Sequence, residues 1–182
     1  MLGPNGWNTD QSLMLDLCSE GARTYYICGD FVTSKSFVDE VIRQDNITVD
    51  DKYIAYDVKV KAHYAANEFD DALNTAFLYN KQLGMPTLKN KPVGPLIIIK
   101  EFIKTSRKLG KRTSKELASL PELTDERVAK AQRMHELATN SSFIAQPSLF
   151  PLLVFLLMRA SLKHGINASS CDAFGGYGVI LW

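Results

Sequence analysis

A short pattern recurs in this chain 38 residues apart, and it constrains the fold more than any bulk property does. The first copy runs Tyr25-Tyr26-Ile27-Cys28-Gly29-Asp30-Phe31-Val32-Thr33-Ser34, the second His63-Tyr64-Ala65-Ala66-Asn67-Glu68-Phe69-Asp70-Asp71-Ala72. Each carries an aromatic, a two-residue polar break, a Phe, and a small residue three positions later. Such a period is the mark of helix–turn–helix repeats, units that bury their apolar faces by stacking on one another. Stacked hairpins build surfaces and relays, so packing residues dominate the expectation: Tyr26, Phe31, Tyr64, Phe69, Ala72, Leu83 and Gly84.

Helical periodicity extends beyond the two copies. Residues 8–28 read as a helix capped by Asn8 or Thr9, with Leu13, Leu17, Ala22, Tyr25 and Tyr26 as its periodic residues. A shorter helix follows at about 33–45. Ile54, Val58, Ala62 and Ala65 line one further helix, and Ala72, Leu73, Ala76 and Phe77 line its partner, which Gly84 and Pro86 stop. Leu96-Ile97-Ile98-Ile99 is β-branched enough for a strand, but the spacing of Lys100, Lys104, Arg107 and Lys108 predicts a helix ending near Gly110. A polar connection spans 110–123. Thr124 is the predicted cap of the next helix, Pro147 the predicted start of an apolar one ended by Gly165, and Ser169-Ser170 the opening of the last. The predicted division is two hairpin repeats over 1–86 and further helix pairs over 87–182, with the final helix cut short.

At 182 residues and 46% hydrophobic, the chain can bury a substantial core. Its net charge of +1 conceals an acidic early region and a basic stretch at 81–115, where Glu101 stands alone among the cations. Lys100, Lys104, Arg107, Lys108 and Lys111 share one face of a helix. That face reads first as a plain solvated surface and next as a contact for an acidic protein surface, with nucleic acid or anionic lipid behind both. Nucleic acid is disfavoured, because interleaved aromatics are missing and the pI is about 7.7. The apolar run at 149–158 is half the length of a bilayer span and reads as a core helix.

Catalytic chemistry is hard to find. No phosphate loop, nucleophile elbow or kinase motif occurs. Cys18, Cys28 and Cys171 lack zinc spacing and read as reduced, buried thiols. His63, His135 and His164 lie far apart without carboxylates at ligand spacing, so no metal or cofactor is expected. Asp50-Asp51 and Asp70-Asp71 read as first-turn charges that suit the helix dipole. Gly175-Gly176-Tyr177-Gly178 has no strand before it and reads as a close helix–helix approach.

The two early hairpins resemble tetratricopeptide repeats, with Tyr64, Phe69 and Ala72 at the aromatic and small positions, although the Trp-Leu-Gly signature is missing. Together with Leu83-Gly84-Met85-Pro86, Leu120-Pro121, Pro147-Ser148-Leu149-Phe150-Pro151, Ser161-Leu162-Lys163-His164-Gly165 and Phe174-Gly175-Gly176-Tyr177-Gly178, they resemble one particular helical segment. It belongs to large signalling proteins that join a serine/threonine-kinase-like domain, an AAA-type ATPase and a GAF plus sensor histidine kinase module. The resemblance runs from about Trp7 to Trp182. It implies a cytoplasmic, non-catalytic scaffold or relay, tetratricopeptide-like in its superhelix and a piece of a longer array, whose partners are neighbouring domains of a parent chain. The alternative is a free-standing adaptor of the same architecture. His135-Glu136-Leu137-Ala138-Thr139-Asn140 resembles a histidine-kinase phosphoacceptor box but departs from it at Met134, Ala138 and Asn140. The favoured reading there is an exposed or half-buried histidine on an amphipathic helix.

Overall fold

The computed structural model describes residues 6–88 and 93–182. Among them the regular elements are helices: α1 (Gly6–Thr9), α2 (Gln11–Ile27), α3 (Phe31–Ile42), α4 (Tyr53–Ala65), α5 (Phe69–Gln82), α6 (Pro95–Leu109), α7 (Ser114–Ala118), α8 (Glu126–Ala145), α9 (Phe150–His164) and α10 (Ala168–Leu181). The described residues are all-α, and helices pack on one another within each unit, α2 on α3 and α3 on α4 in the first, and α6, α8 and α10 on α9 in the second. The strand reading of 96–99 is excluded, because Pro95 sits in the first turn of α6, where its missing N–H costs nothing. The chain forms two compact units, Met1–Thr75 and Ala76–Trp182, and α5 runs through the division.

In the first unit α2, α3 and α4 pack together around Cys18, Ala22, Val38, Val41, Ala55 and Val58. The small residues at Ala22 and Ser34 let α2 and α3 approach closely, and Ser34 Oγ donates to the Ala22 carbonyl at 2.7 Å inside that contact. Asp10 and Asp30 cap α2 and α3 by accepting from the amides of Leu13 and Thr33. Leu13 and Leu17 are exposed, contrary to the phase expected for α2. Its inward stripe runs instead through Met14, Cys18, Ala22 and Tyr26 at four-residue steps.

The repeated pattern forms the same corner twice. Gly29 and Asn67 both adopt positive φ, +80° and +60°. In each corner two amides fold back on the ending helix: Gly29 and Asp30 donate to Tyr26 and Tyr25, and Asn67 and Glu68 donate to Tyr64 and His63. This is a Schellman-type close, which requires a left-handed residue after the last turn. Tyr26 meets Phe31 at 6.0 Å between ring centroids, and Tyr64 meets Phe69 at 5.3 Å. The small residues Ser34 and Ala72 are both fully buried. Gly84 closes α5 in the same way at φ +74°.

The second unit is built around α9, which packs against α6, α8 and α10. Leu152, Leu153, Val154, Phe155, Leu157 and Met158 are all buried, as expected of a core helix. Phe155 contacts Phe102 on α6 and Tyr177 on α10, and Phe102 and Tyr177 stack on each other at 6.2 Å. Gly176 faces Val154 so closely that a Cβ would lie 2.8 Å from it, whereas Gly175 and Gly178 face open space. Close approach therefore explains one glycine of that cluster. After α9, Gly165 takes φ +108° and lets Ile166 form an isolated parallel bridge with Glu122.

Several expected boundaries move. α2 runs Gln11–Ile27 and is capped by Asp10, not Asn8 or Thr9. α3 spans Phe31–Ile42, not about 33–45, and α10 opens at Ala168 behind an Asn167 cap, ahead of Ser169-Ser170. α8 is capped by Asp125, not Thr124, through its carboxylate and the amides of Arg127 and Val128. α9 starts at Phe150 with Pro151 in its first turn, not at Pro147. The connection at 110–123 contains α7, begun by a reciprocal Thr113–Glu116 capping box.

Candidate functional site

Pro95 and the following apolar residues start α6, and its basic residues then recur at helical spacing. Only Thr105 is buried on this helix, while Phe102 reaches α9. Ile98, Glu101, Phe102, Ser106 and Leu109 are half-buried, and the remaining residues are turned outward. Leu96, Ile99 and Ile103 are exposed, with exposures of 81%, 54% and 43%, and Lys100, Lys104 and Arg107 lie alongside them. The outward face of α6 is thus both apolar and basic, and only its basic half was expected.

Lys104 and Lys108 lie on the other edge of that face and line a cavity of about 580 Å³ bounded by α6, α8, α9 and the Met85-Pro86 turn. Lys100, Arg107 and Lys111 are not part of it, so the expected five-residue basic face divides. From α9 come Arg159, Lys163 and His164. Arg159 is fixed by an ion pair with Glu101 at 2.7 Å and by donation to Thr105 Oγ1 at 2.8 Å. Lys108 Nζ donates to the Arg159 carbonyl at 3.0 Å. Partial burial, with Lys163, Arg159, Lys104 and Arg112 nearby, lowers the Lys108 pKa from the usual lysine value. The cations crowd one another, and no carboxylate lines the cavity among the described residues.

The wall contributed by α8 is Val128, Ala131, Gln132 and His135. Both amide atoms of Gln132 are buried without a hydrogen-bond partner, as is Nε2 of His135. His135 is 5% exposed, which overturns the exposed or half-buried reading. The cause is helical phase: α8 is covered on the face that carries Ala131, Met134 and Ala138 and also on the adjoining one. Burial lowers the His135 pKa to about 4, against a hydrogen bond to the Pro86 backbone that raises it. Proline has no N–H, so its carbonyl accepts from the ring, and Nε2 is left a bare acceptor in the neutral imidazole. A histidine closed off in this way is poorly placed to accept a phosphoryl group.

Glu136, on the same helix, is a buried carboxylate that nothing in the residue pattern singles out. It accepts from Ser169 Oγ at 2.6 Å and pairs with Arg133. Burial, and the neighbouring Asp172, raise its pKa despite those two contacts.

In the first unit His63, Glu68 and Asp71 come together, with their ligand atoms all within 4.8 Å of one another. The corner at Asn67 does this, by turning α5 back against the end of α4. His63 Nδ1 lies 2.5 Å from Glu68 Oε2, and Lys35 Nζ reaches both Glu68 oxygens at 2.8 and 3.0 Å. Lys35 first, then His63, hold the Glu68 carboxyl below its usual range. Lys35 donates to both Glu68 oxygens, which ties α3 to the α4–α5 corner through this cluster.

The packing residues fall in unlike settings. Ala72 and Leu83 are buried, Tyr26, Phe31 and Phe69 half-buried, Tyr64 exposed at one edge, and Gly84 in its turn. Cys18 is buried, but Cys28 and Cys171 are exposed, which corrects the expectation of buried thiols. A second cavity of about 500 Å³ lies between α7, α9 and α10 and is mostly apolar, with Leu117, Met158, Phe174 and Leu181 among its walls. Among the described residues no helix is long and apolar enough to cross a membrane. Compared with known proteins, the chain matches no family model, and no curated protein or solved structure matches it.

Proposed function

We propose that this chain is a non-catalytic helical scaffold or relay segment of a cytoplasmic, multidomain signalling protein of the ATPase–histidine kinase kind that its hairpins and later turns resemble. The observation that carries the reading is the outer face of α6, where Leu96, Ile99 and Ile103 stand exposed beside Lys100, Lys104 and Arg107. Exposed apolar residues flanked by one sign of charge suit a protein contact that buries the former and pairs the latter. The partner it fits is an acidic, amphipathic surface on a neighbouring domain.

Sequencing the parent transcript across both ends of this reading frame is the first test. A phosphate-loop ATPase upstream and a histidine-kinase domain downstream are expected. A stop directly after Trp182 would defeat the relay reading and leave the free-standing adaptor. In the longer protein, amides of α6 should exchange more slowly than in the isolated chain, and Ile99→Asp with Ile103→Asp should abolish the difference. A measurable ATPase or phosphotransfer rate from the purified chain would overturn the non-catalytic assignment.

A further inference from the structure

Beyond the α6 contact, the cavity between α6, α8 and α9 has the makings of a ligand site. Its volume of about 580 Å³ lies within the roughly 300–1,000 Å³ typical of small-molecule pockets. Its cations come from two helices far apart in sequence, Lys104 and Lys108 from α6 and Arg159 and Lys163 from α9. Arg159 is already neutralised by Glu101. The lysine ammoniums that remain exceed the charge of a single carboxylate and suit a dianion. Like charges held together at a partly buried site repel, and a bound anion removes that repulsion.

The α8 wall sets a second requirement. A buried polar group without a partner costs about 1–3 kcal/mol, so an unpaired amide beside an unpaired imidazole nitrogen is a costly arrangement for packing alone. Gln132 offers two N–H donors and an acceptor oxygen. A molecule that satisfies this wall carries hydroxyl or amide-type groups, not only charge. Val128, Ala131, Leu156 and Ala160 supply apolar surface for its body.

We propose that this cavity binds a small phosphate ester, its phosphoryl group among Lys104, Lys108 and Lys163 and its hydroxyl or amide-bearing end against Gln132. The polar atoms of that wall are closed to water, so the Gln132 side chain turns toward the ligand as it binds. Nucleoside monophosphates and sugar phosphates share the required chemistry, and the experiment separates them.

The test is calorimetric titration of the full chain at low salt with AMP, UMP, ribose 5-phosphate, adenosine and inorganic phosphate. At least one of the three esters should bind ten-fold or more tightly than inorganic phosphate, and adenosine should bind far more weakly than AMP. Preference for AMP or UMP over ribose 5-phosphate identifies a nucleotide, and the reverse identifies a sugar phosphate. Lys163→Gln, an exposed change that leaves the core intact, should weaken the preferred ester about ten-fold. Gln132→Leu should remove the preference over inorganic phosphate while leaving phosphate binding itself unchanged. If Gln132→Leu fails to fold, a shift of the Gln132 side-chain amide signal on titrating the native chain takes its place. Equal binding of all the anions, no binding at all, or indifference to Lys163→Gln would each overturn the proposal. None of these results bears on the outer face of α6, which Ile99 and Ile103 test separately.

Discussion

Gly29 and Asn67 occupy the same left-handed position in two corners whose fold-back hydrogen bonds match donor for donor. A side chain at positive φ costs about 1–2 kcal/mol, less for Asn than for other residues. Nothing lies within 4 Å of a Cβ added at Gly29, so that cost is purely conformational. Gly29→Ala and Asn67→Ala should each lower stability by about 1 kcal/mol, and Asn67→Gly should leave it level or slightly higher. Urea denaturation of the three variants checks this.

Gly165 behaves differently. Its Cβ would lie 2.5 Å from the Pro121 carbonyl oxygen, which belongs to the backbone and cannot step aside. The bridge from Pro121 and Leu123 to Ile166 depends on that approach. Gly165→Ala should therefore cost clearly more than Gly29→Ala, roughly 2–4 kcal/mol once strain and the lost bridge combine. A thermal melt showing equal losses for the two would refute the distinction.

The buried imidazole of His135 makes folding sensitive to acid. At pH 7 it is neutral in the fold and mostly neutral unfolded, and contributes little pH dependence. Below about 6.5 the unfolded chain takes up a proton that the native state refuses until about pH 4. Stability should fall by about 1.4 kcal/mol per pH unit across that window, approaching about 3 kcal/mol in all. Glu136 acts in the opposite sense, because its raised pKa stabilises the fold as the pH falls through it. The His135 contribution is best read as the difference between the native chain and His135→Gln from pH 7 to pH 4, and matching slopes would contradict it.

The three thiols should not react alike. Burial, with Glu40 nearby, raises the Cys18 pKa and withdraws its thiolate, whereas Cys28 and Cys171 are exposed. A thiol reagent at neutral pH should modify two cysteines quickly and the third only in denaturant. Three equal rates would contradict the packing of α2 against α3.

Much of this architecture is legible in the residues, for reasons that differ by element. The corners at Gly29-Asp30 and Asn67-Glu68 announce themselves because a left-handed position admits few residue types. The end of α5 is legible at Gly84 for the same reason, and at Pro86 because proline cannot continue a helix. The start of α8 is ambiguous, since Thr124 and Asp125 are both good caps and only the backbone geometry decides between them. α7 has a readable signal in Thr113 and Glu116, but five residues are too few to show a period. The face of α2 was misjudged because Leu13 and Leu17 sit one position from the Met14–Cys18 stripe, and hydrophobicity alone does not choose between adjacent stripes. The cavity could not be read at all. Gln132 and His135 look like ordinary polar positions until α6 and α9, distant in sequence, close over them.

The placement of α9 has a consequence for how the second unit comes apart. α6 and α10 reach α9 through Phe102 and Tyr177 at Phe155, and α8 packs along its length. α9 cannot detach without releasing all three, whereas each of the others loses only part of the packing when it lifts away. Amide protons of α9 should accordingly survive longest in heavy water, exchanging only when the whole unit opens. Those of α6, held through few buried residues, should be replaced first, so the element offered to a partner is also the one that moves at least expense.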